Sequence, residues 1–216
     1  MQHSGSIIDR FGIRRAVVGM SLILLVVSGC GSGSETKPGN EKSKSAKNDS
    51  EKESEPAVPV SVEIKPWKEI EGWIKEQKGN VVVVDLWTTH CPPCKREFPH
   101  FVDLHNEQRE NLVCVSLSLD YYGGSKKPEA SKEKVLEFLK SQKATMANFL
   151  SSTPDSDVLK VFDSGLVPVC VIFDQQGKLH KVFNNDTNEY GDKGFSYEKE
   201  IVPTVDALLK TETQGG

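Results

Sequence analysis

The sequence lacks an excess of basic residues, and it is poor in apolar ones. It carries 27 Lys and Arg against 31 Asp and Glu, which gives a net charge of −4 and a pI of about 5.8. Nucleic-acid-binding proteins usually show a basic footprint, so no nucleic-acid partner is predicted. Hydrophobic residues make up only 37% of the chain and the mean hydropathy is −0.42. These values are low for one compact globule, and the deficit is concentrated in residues 31–58.

Residues 31–58 contain no aromatic side chain and consist mostly of Gly, Ser, Lys, Glu, Asn and Pro. Such a composition cannot bury enough apolar surface to offset the entropy lost on ordering. The scattered Gly, Pro, Ser and Asn also disfavour a charged helix. The sequence therefore predicts a flexible polar linker over residues 30–58.

No long apolar run is present that would span a bilayer comfortably. The run at residues 16–27 is too short, follows three arginines, and ends in Val27-Ser28-Gly29-Cys30. This order is typical of a targeting signal, and it resembles a bacterial lipoprotein signal with its lipobox. The resemblance implies that residues 1–29 are cleaved and that Cys30 is lipidated, whereas an ordinary secretory signal is the alternative. Either one predicts that the folded part lies outside the cytoplasm.

Cysteines are few, with five in the chain. Cys91 and Cys94 are separated by two prolines, and no second Cys-x-x-Cys accompanies them, so a four-cysteine zinc site is not predicted. Cys114 and Cys170 lie in strand-like apolar runs, where cysteine behaves as a small buried hydrophobe. A disulfide between Cys114 and Cys170 is the alternative.

The cysteine pair follows a run of four valines. Val81–Trp87 is predicted to be a strand buried on both faces, and residues 95–107 have the apolar spacing of a helix. We expect Cys91 to be exposed at the strand-to-helix turn and Cys94 to lie about one turn inside the helix. Two thiols so placed can close a disulfide ring, and the helix N-terminus favours a thiolate there. The stretch predicts a redox pair.

The rest of the chain alternates between helical and strand-like patterns. Helices are predicted over 66–77, 129–142, 156–162 and 197–209, strands over 111–119, 169–174 and 179–183, and a short extended piece over 146–150. Parallel strands joined by helices, followed by an antiparallel hairpin and a last helix, indicate an α/β fold. We expect a domain at residues 59–216 with a central mixed sheet of four to five strands flanked by helices.

Residues 84–99 carry a resemblance to a known family. Trp87 precedes the first cysteine by four positions, and Glu97 and Pro99 follow the second by three and five. With Gly165-Leu166-Val167-Pro168, this pattern resembles the TlpA/ResA-like extracytoplasmic thiol–disulfide oxidoreductases of the thioredoxin superfamily, over residues 60–210. The resemblance implies a thioredoxin-like fold, a TlpA-like insertion before Pro168, and a cis peptide bond at that proline. The triplet Thr88-Thr89-His90 and Val167 depart from the residues common in the family.

The resemblance also implies roles for individual residues. Cys91 is expected to be the attacking nucleophile and Cys94 the resolving thiol. Asp85 and Glu97 are expected to move protons, although a structural acid and a helix-dipole partner are the alternatives. The residues predicted to shape the site or bind substrate are Trp87, His90, Pro92, Pro93, Val167 and Pro168. A cationic His90 would favour the thiolate, and a solvated turn residue is the alternative.

These roles predict a membrane-tethered reductant that acts on protein disulfides, with no cofactor and no metal. The implied partners are protein thiols and disulfides (apocytochrome c is a familiar client of the family) and a membrane electron donor. The protein is expected to be a monomer held at the membrane by a lipid anchor. A copper-binding metallochaperone with His180 as a ligand is one alternative. A peroxiredoxin-like peroxidase is another: Thr88 fits its pattern, but Val84 stands where a proline is required.

Overall fold

The computed structural model describes residues 58–211 of the chain. These residues form one compact unit. The predicted signal peptide (1–29), the lipidated Cys30 and the polar linker up to residue 57 therefore lie outside the described residues.

The described part is built on a six-stranded mixed sheet with the order β1-β4-β3-β2-β5-β6. The strands are β1 (Glu63–Lys65), β2 (Val81–Trp87), β3 (Leu112–Ser118), β4 (Ala147–Ser151), β5 (Val169–Phe173) and β6 (Leu179–Asn184). β1, β4, β3 and β2 run parallel to one another, β5 pairs antiparallel with β2, and β6 pairs antiparallel with β5 at the other edge. β2 lies inside the sheet and is buried along its whole length, as its run of valines predicts.

Five α-helices cover the sheet. They are α1 (Trp67–Glu76), α2 (Pro92–Asn106), α3 (Glu129–Ser141), α4 (Asp155–Val161) and α5 (Val202–Thr211). A 3₁₀ turn spans Asn188–Tyr190, and a π-helical turn, Tyr197–Ile201, leads into α5. The last helix was predicted as one regular segment from residue 197; its first turn is instead π-helical.

The strand count exceeds the prediction of four to five. The extended piece predicted at 146–150 is β4, which pairs with β3 on one side and with β1 on the other. β1 is only three residues long, too short for a period-2 pattern to be recognised in the sequence. The segment identified as the TlpA-like insertion forms α3, β4 and α4 between β3 and Pro168.

The alternation of side chains along β2 divides the core into two layers. Val82, Val84 and Leu86 face the layer that includes Ile70 and Ile74 of α1. Val81, Val83 and Trp87 face the layer that includes α2, the cysteine pair and Tyr197. Asp85 belongs to this second series, so its carboxyl points toward the α2 side of the sheet. Within residues 58–211, no helix is long and apolar enough to cross a membrane.

Candidate active site

Cys91 and Cys94 form a disulfide at the start of α2, with a Cα–Cα distance of 5.3 Å. Cys91 is the N-cap of the helix, and its Sγ accepts a hydrogen bond from the Cys94 amide at 3.2 Å. The helix begins at Pro92, because proline is well suited to a first turn that needs no amide donor. Pro92 is exposed and Pro93 is half-buried beside the pair.

The expectation of an exposed Cys91 is wrong. Its exposed fraction is 7%, and that of Cys94 is 2%. The Cys91 side chain turns back over the helix N-terminus to cap it, which brings its sulfur into the apolar layer around Trp87 and Phe98. Only an edge of the pair is therefore open to a partner.

Cys114 and Cys170 are free and buried, so the alternative of a second disulfide is wrong. Cys114 of β3 pairs with Val83, and Cys170 of β5 pairs with Asp85, on opposite sides of β2. Strands separated by a third strand are about 9–10 Å apart, beyond the reach of a disulfide. Burial raises the pKa of Cys114 to about 12 and that of Cys170 well above its usual value.

Asp120 fixes the turn that precedes Cys91, and sequence reasoning missed it. Its buried carboxylate accepts hydrogen bonds from the Thr89 amide (2.9 Å), the Thr89 hydroxyl (2.6 Å) and the Ser118 hydroxyl (2.8 Å). The available signal was an acid directly after an apolar strand that runs parallel to β2, since the ends of parallel strands meet at one edge of a sheet.

His90 is clamped between Lys134 of α3 and the Thr89–Asp120 pair. Its Nε2 lies 2.6 Å from Lys134 Nζ. Its Nδ1 lies 3.3 Å from Thr89 Oγ1 and 3.5 Å from Asp120 Oδ1. The structure therefore places His90 between a cation and a buried carboxylate, directly before Cys91.

Trp87 was predicted to shape the site or bind substrate, and it lies entirely beneath the surface. It has no exposed area, its Nε1 donates to Ser116 Oγ at 2.9 Å, and its ring contacts Phe98 and Phe138 at centroid distances of 5.1 and 4.7 Å. The side chain therefore supports the cysteine turn from below and offers no surface to a client.

Asp85 lies below α2 with 4% of its surface exposed. Its Oδ1 accepts a hydrogen bond of 2.6 Å from the Tyr197 hydroxyl. Burial raises the pKa of Asp85 from 3.8 to about 7, while the Tyr197 hydrogen bond lowers it and the negative charge of Glu97 raises it. A carboxyl with a pKa near neutrality can both accept and return a proton at physiological pH.

Glu97 lies one turn along α2 from Cys94. Its side chain is 13% exposed, and its Oε1 lies 3.2 Å from Arg96 Nε. Glu97 is close enough to Asp85 to act on its pKa. The structure thus brings together the two carboxyl groups that the sequence marked as proton carriers.

The Val167–Pro168 peptide bond is cis, as the resemblance implies. Pro168 is buried and Val167 is half-buried. Together with Thr88, Tyr122 and Leu166, Val167 lines a surface cavity of about 180 Å³. The loop before β5 therefore lies against the turn that leads to Cys91.

Two residues were named for the alternative functions: His180 for a copper chaperone and Thr88 for a peroxidase. His180 is exposed on edge strand β6, in a cavity lined by Lys199, Glu200 and Leu208 rather than by cysteines. Within residues 58–211, no group of three His, Cys, Asp or Glu side chains could hold a metal ion. The Thr88 carbonyl accepts a hydrogen bond from the Cys91 amide at 3.2 Å, and that threonine is buried.

Comparison with known proteins gives several matches. The redoxin family matches residues 73–198. Sporulation thiol-disulfide oxidoreductase A of Bacillus subtilis (strain 168) is 29% identical over 134 residues, which are 60% of this chain and 73% of that protein. Thiol-disulfide oxidoreductase ResA of the same strain is 27% identical over 119 residues, which are 54% of this chain and 59% of that protein.

Among solved structures, a thioredoxin-family thiol:disulfide interchange protein from Chlorobium tepidum TLS is similar to this chain. It shows 16% identity, a TM-score of 0.47, and coverage of 62% of this chain and 83% of that one. The sheet order and the redoxin match together identify a thioredoxin-like fold. The chain belongs to the redoxin family and is a thiol–disulfide oxidoreductase of the TlpA/ResA-like branch of the thioredoxin superfamily.

Proposed function

We propose that this protein is a membrane-tethered reductant that transfers electrons to protein disulfides outside the cytoplasm through Cys91 and Cys94. The observation that carries the proposal is the cysteine pair at the N-terminus of α2, with Asp85 buried below it at a pKa of about 7. A helix N-terminus favours a thiolate. The carboxylate form of an acid with this pKa can accept the proton of a resolving thiol.

In this mechanism the reduced Cys91 thiolate attacks a client disulfide. A Cys91–client disulfide forms, and the first client thiolate leaves. Cys94 then loses its proton to the Asp85 carboxylate and attacks Cys91 Sγ, which releases the second client thiol. The client gains two electrons, and the protein is left with the Cys91–Cys94 disulfide that the structure contains. Glu97 is the second proposed proton carrier, and a membrane electron donor reduces the pair again.

The client is proposed to approach over Pro92 and Pro93 and to lie as an extended segment along Val167 and Pro168. Among the turns and loops of residues 58–211, no backbone hydrogen bond involves Val167. Its peptide groups are therefore available to pair with a client backbone. Trp87 is buried and His90 is exposed, so Trp87 is proposed to support this surface from beneath and His90 to border it. Apocytochrome c is one client that this proposal covers.

The tether is proposed from the sequence of residues 1–58. A lipid on Cys30 and a polar linker up to residue 58 would hold the folded part near a membrane as a monomer. Labelling with radioactive palmitate tests this proposal, because a lipidated Cys30 incorporates label and a Cys30→Ser variant does not. An unlabelled and unanchored parent protein would contradict it.

The direction of electron flow is tested by the reduction potential. Full-length protein is equilibrated with glutathione redox buffers, and the oxidised fraction is measured by thiol alkylation and mass spectrometry. A reductant requires a potential well below about −200 mV, whereas a value near −120 mV is typical of an oxidant and would contradict the proposal.

The activity itself is tested by reduction of insulin disulfides. Cys91→Ser should abolish it, and Cys94→Ser should trap a mixed disulfide with the client. Cys114→Ala is the matched control, since Cys114 is a free cysteine buried in β3, and it should retain activity.

A further inference from the structure

Tyr197 is a buried tyrosine that the sequence marked only as the start of a helix. Its exposed fraction is 1%, and its ring packs on Phe101 of α2 with a centroid distance of 5.5 Å. It begins the π-helical turn that precedes α5. From there its hydroxyl reaches Asp85, 112 positions earlier in the chain, at 2.6 Å.

The contact engages only one of the two carboxyl oxygens of Asp85. Oδ1 accepts a hydrogen bond from the Tyr197 hydroxyl, and no hydrogen bond to Oδ2 is found within residues 58–211. Asp85 retains 4% of its surface, and its position in the β2 alternation directs it toward the side of the sheet that carries Cys94. A tyrosine hydroxyl can donate both to an ionised carboxylate and to the carbonyl oxygen of a neutral carboxyl.

We propose that Tyr197 is a positioning residue for proton transfer: its hydroxyl occupies Oδ1 of Asp85 and leaves Oδ2 to take up and return the Cys94 proton. This inference rests on the proposed role of Asp85 in the mechanism above. In the balanced step, the proton moves from Cys94 Sγ to Asp85 Oδ2 as the Cys94–Cys91 bond forms and the Cys91–client bond breaks. Oδ2 then returns it to the released client thiolate.

Three other titratable groups act on Asp85 or lie near it. The negative charge of Glu97 on α2 raises the pKa of Asp85. Cys114 on β3 and Cys170 on β5 are thiols whose own pKa values are raised by burial, and Cys170 also forms a hydrogen bond with Tyr197. Tyr197 is the group that lowers the pKa of Asp85 by hydrogen bonding. Removing its hydroxyl should therefore make the carboxylate form harder to reach.

The test follows the resolving step as a function of pH. Reduced full-length protein is mixed with oxidised glutathione. The reaction is quenched with acid at a series of times, and the Cys91–glutathione mixed disulfide is quantified by mass spectrometry. In Tyr197→Phe, the midpoint of the pH profile for resolution should rise by about one to two pH units, which is the effect expected for loss of a hydrogen bond to a charged group. Isotope-edited infrared spectra of the Asp85 carboxyl should show the same shift without any turnover.

A second variant should shift the midpoint of the pH profile in the opposite direction while keeping the side chain close to the volume of tyrosine. Fluorotyrosine at position 197 has a more acidic hydroxyl and is a stronger donor, so the midpoint should move to lower pH. Tyr190→Phe is the matched control, because Tyr190 is a half-buried tyrosine that packs on Phe183 and Phe195, and its midpoint should not change. This pair of opposite shifts cannot arise from a general loss of packing.

Asp85→Asn distinguishes the proposed role of Asp85 in proton transfer from the proposed role of Tyr197 in positioning it. If Asp85→Asn leaves the pH profile unchanged, the proposed role of Asp85 is wrong. If Asp85→Asn alters the profile but Tyr197→Phe and fluorotyrosine do not, Asp85 acts without Tyr197 and the inference is overturned. If the inference holds, Tyr197→Phe has no further effect on the profile in the Asp85→Asn background.

Discussion

At the scale of single residues, the turn before Cys91 depends on charges that come from other elements. Asp120 holds Thr89 in place, and Lys134 of α3 contacts His90 at 2.6 Å. These contacts give the Thr88-Thr89-His90 triplet, which departs from the residues common in the family, a defined role. The two threonines are buried parts of the turn, and His90 connects it to a cation.

Lys134→Met should reduce the reactivity of Cys91 in the reduced protein. A nearby cation stabilises a thiolate, but Lys134 is exposed, so the expected loss is small. We expect alkylation of Cys91 by iodoacetamide near pH 7 to slow by about two- to threefold, as for an exposed charge pair.

Lys132→Met is the control for this prediction. Lys132 is exposed on the same helix, and no contact joins it to His90 in the described structure, so its substitution should leave the alkylation rate unchanged. An equal effect of both substitutions would show that net charge, and not the Lys134–His90 contact, is responsible.

At the scale of elements, the chain between β6 and α5 connects the parts of the site. Asp186 Oδ2 accepts hydrogen bonds of 2.8 Å from the Ser164 hydroxyl and from the Gly165 amide, in the loop that precedes Pro168. Further along, the Lys193 carbonyl accepts from Arg96 of α2 at 3.3 Å. The polar segment after β6, residues 185–194, thus braces both sides of the proposed client surface.

Asp186→Ala should weaken client binding more than turnover. Loss of both hydrogen bonds releases the loop that carries Val167, at an expected cost of about 1–2 kcal/mol in the free energy of unfolding. We expect the KM for reduction of a protein disulfide to rise several-fold with kcat nearly unchanged, as measured in an insulin-reduction assay.

Asp192→Ala is the matched control, because Asp192 is an exposed acid of the same segment. It should change neither quantity. A fall in kcat for Asp186→Ala with KM unchanged would contradict the proposed bracing of the client surface.

At the scale of the whole molecule, the sheet separates two apolar layers, and the second layer contains one acid with a strongly raised pKa. The pKa of Asp85 is about 7 in the folded protein and near 3.8 without its burial. Between these values the folded protein keeps a proton that the unfolded chain has released. Protonated Asp85 therefore makes its full contribution to the free energy of unfolding below about pH 4, and this contribution is lost as the pH rises toward 7.

Asp85→Asn should stabilise the oxidised protein increasingly as the pH is raised. The gain in the free energy of unfolding over the parent should be smallest near pH 4 and should reach a plateau above about pH 7. From a shift of this size we expect the change across the window to be about 2–4 kcal/mol. Urea unfolding at a series of pH values measures it.

A core substitution without a titrating group provides the comparison. Val205→Ala removes buried volume from the same layer, and its destabilisation should be nearly independent of pH. If the difference between Asp85→Asn and the parent were equally constant from pH 4 to pH 8, Asp85 would not titrate in this range.

The sequence by itself determined most of the helices and strands, and the redox pair. Four consecutive valines require a strand buried on both faces, and Cys-Pro-Pro-Cys at the following helix start defines where the disulfide forms. These features are local, so periodicity and spacing reveal them. The family pattern added the cis-proline at position 168 and marked Asp85 and Glu97.

Only the tertiary structure decided how these parts are connected. The Tyr197–Asp85 hydrogen bond, the Lys134–His90 contact, the Asp186 brace and the pairing of β4 between β1 and β3 all join segments that are distant in the chain. The burial of Cys91 likewise follows from how its turn packs on Trp87 and α2. Local patterns specify which face of an element is apolar, but they do not specify which distant polar group meets a buried one. That choice depends on the packing of whole elements, and here it places a tyrosine hydroxyl on Asp85, beneath the helix that begins at the cysteine pair.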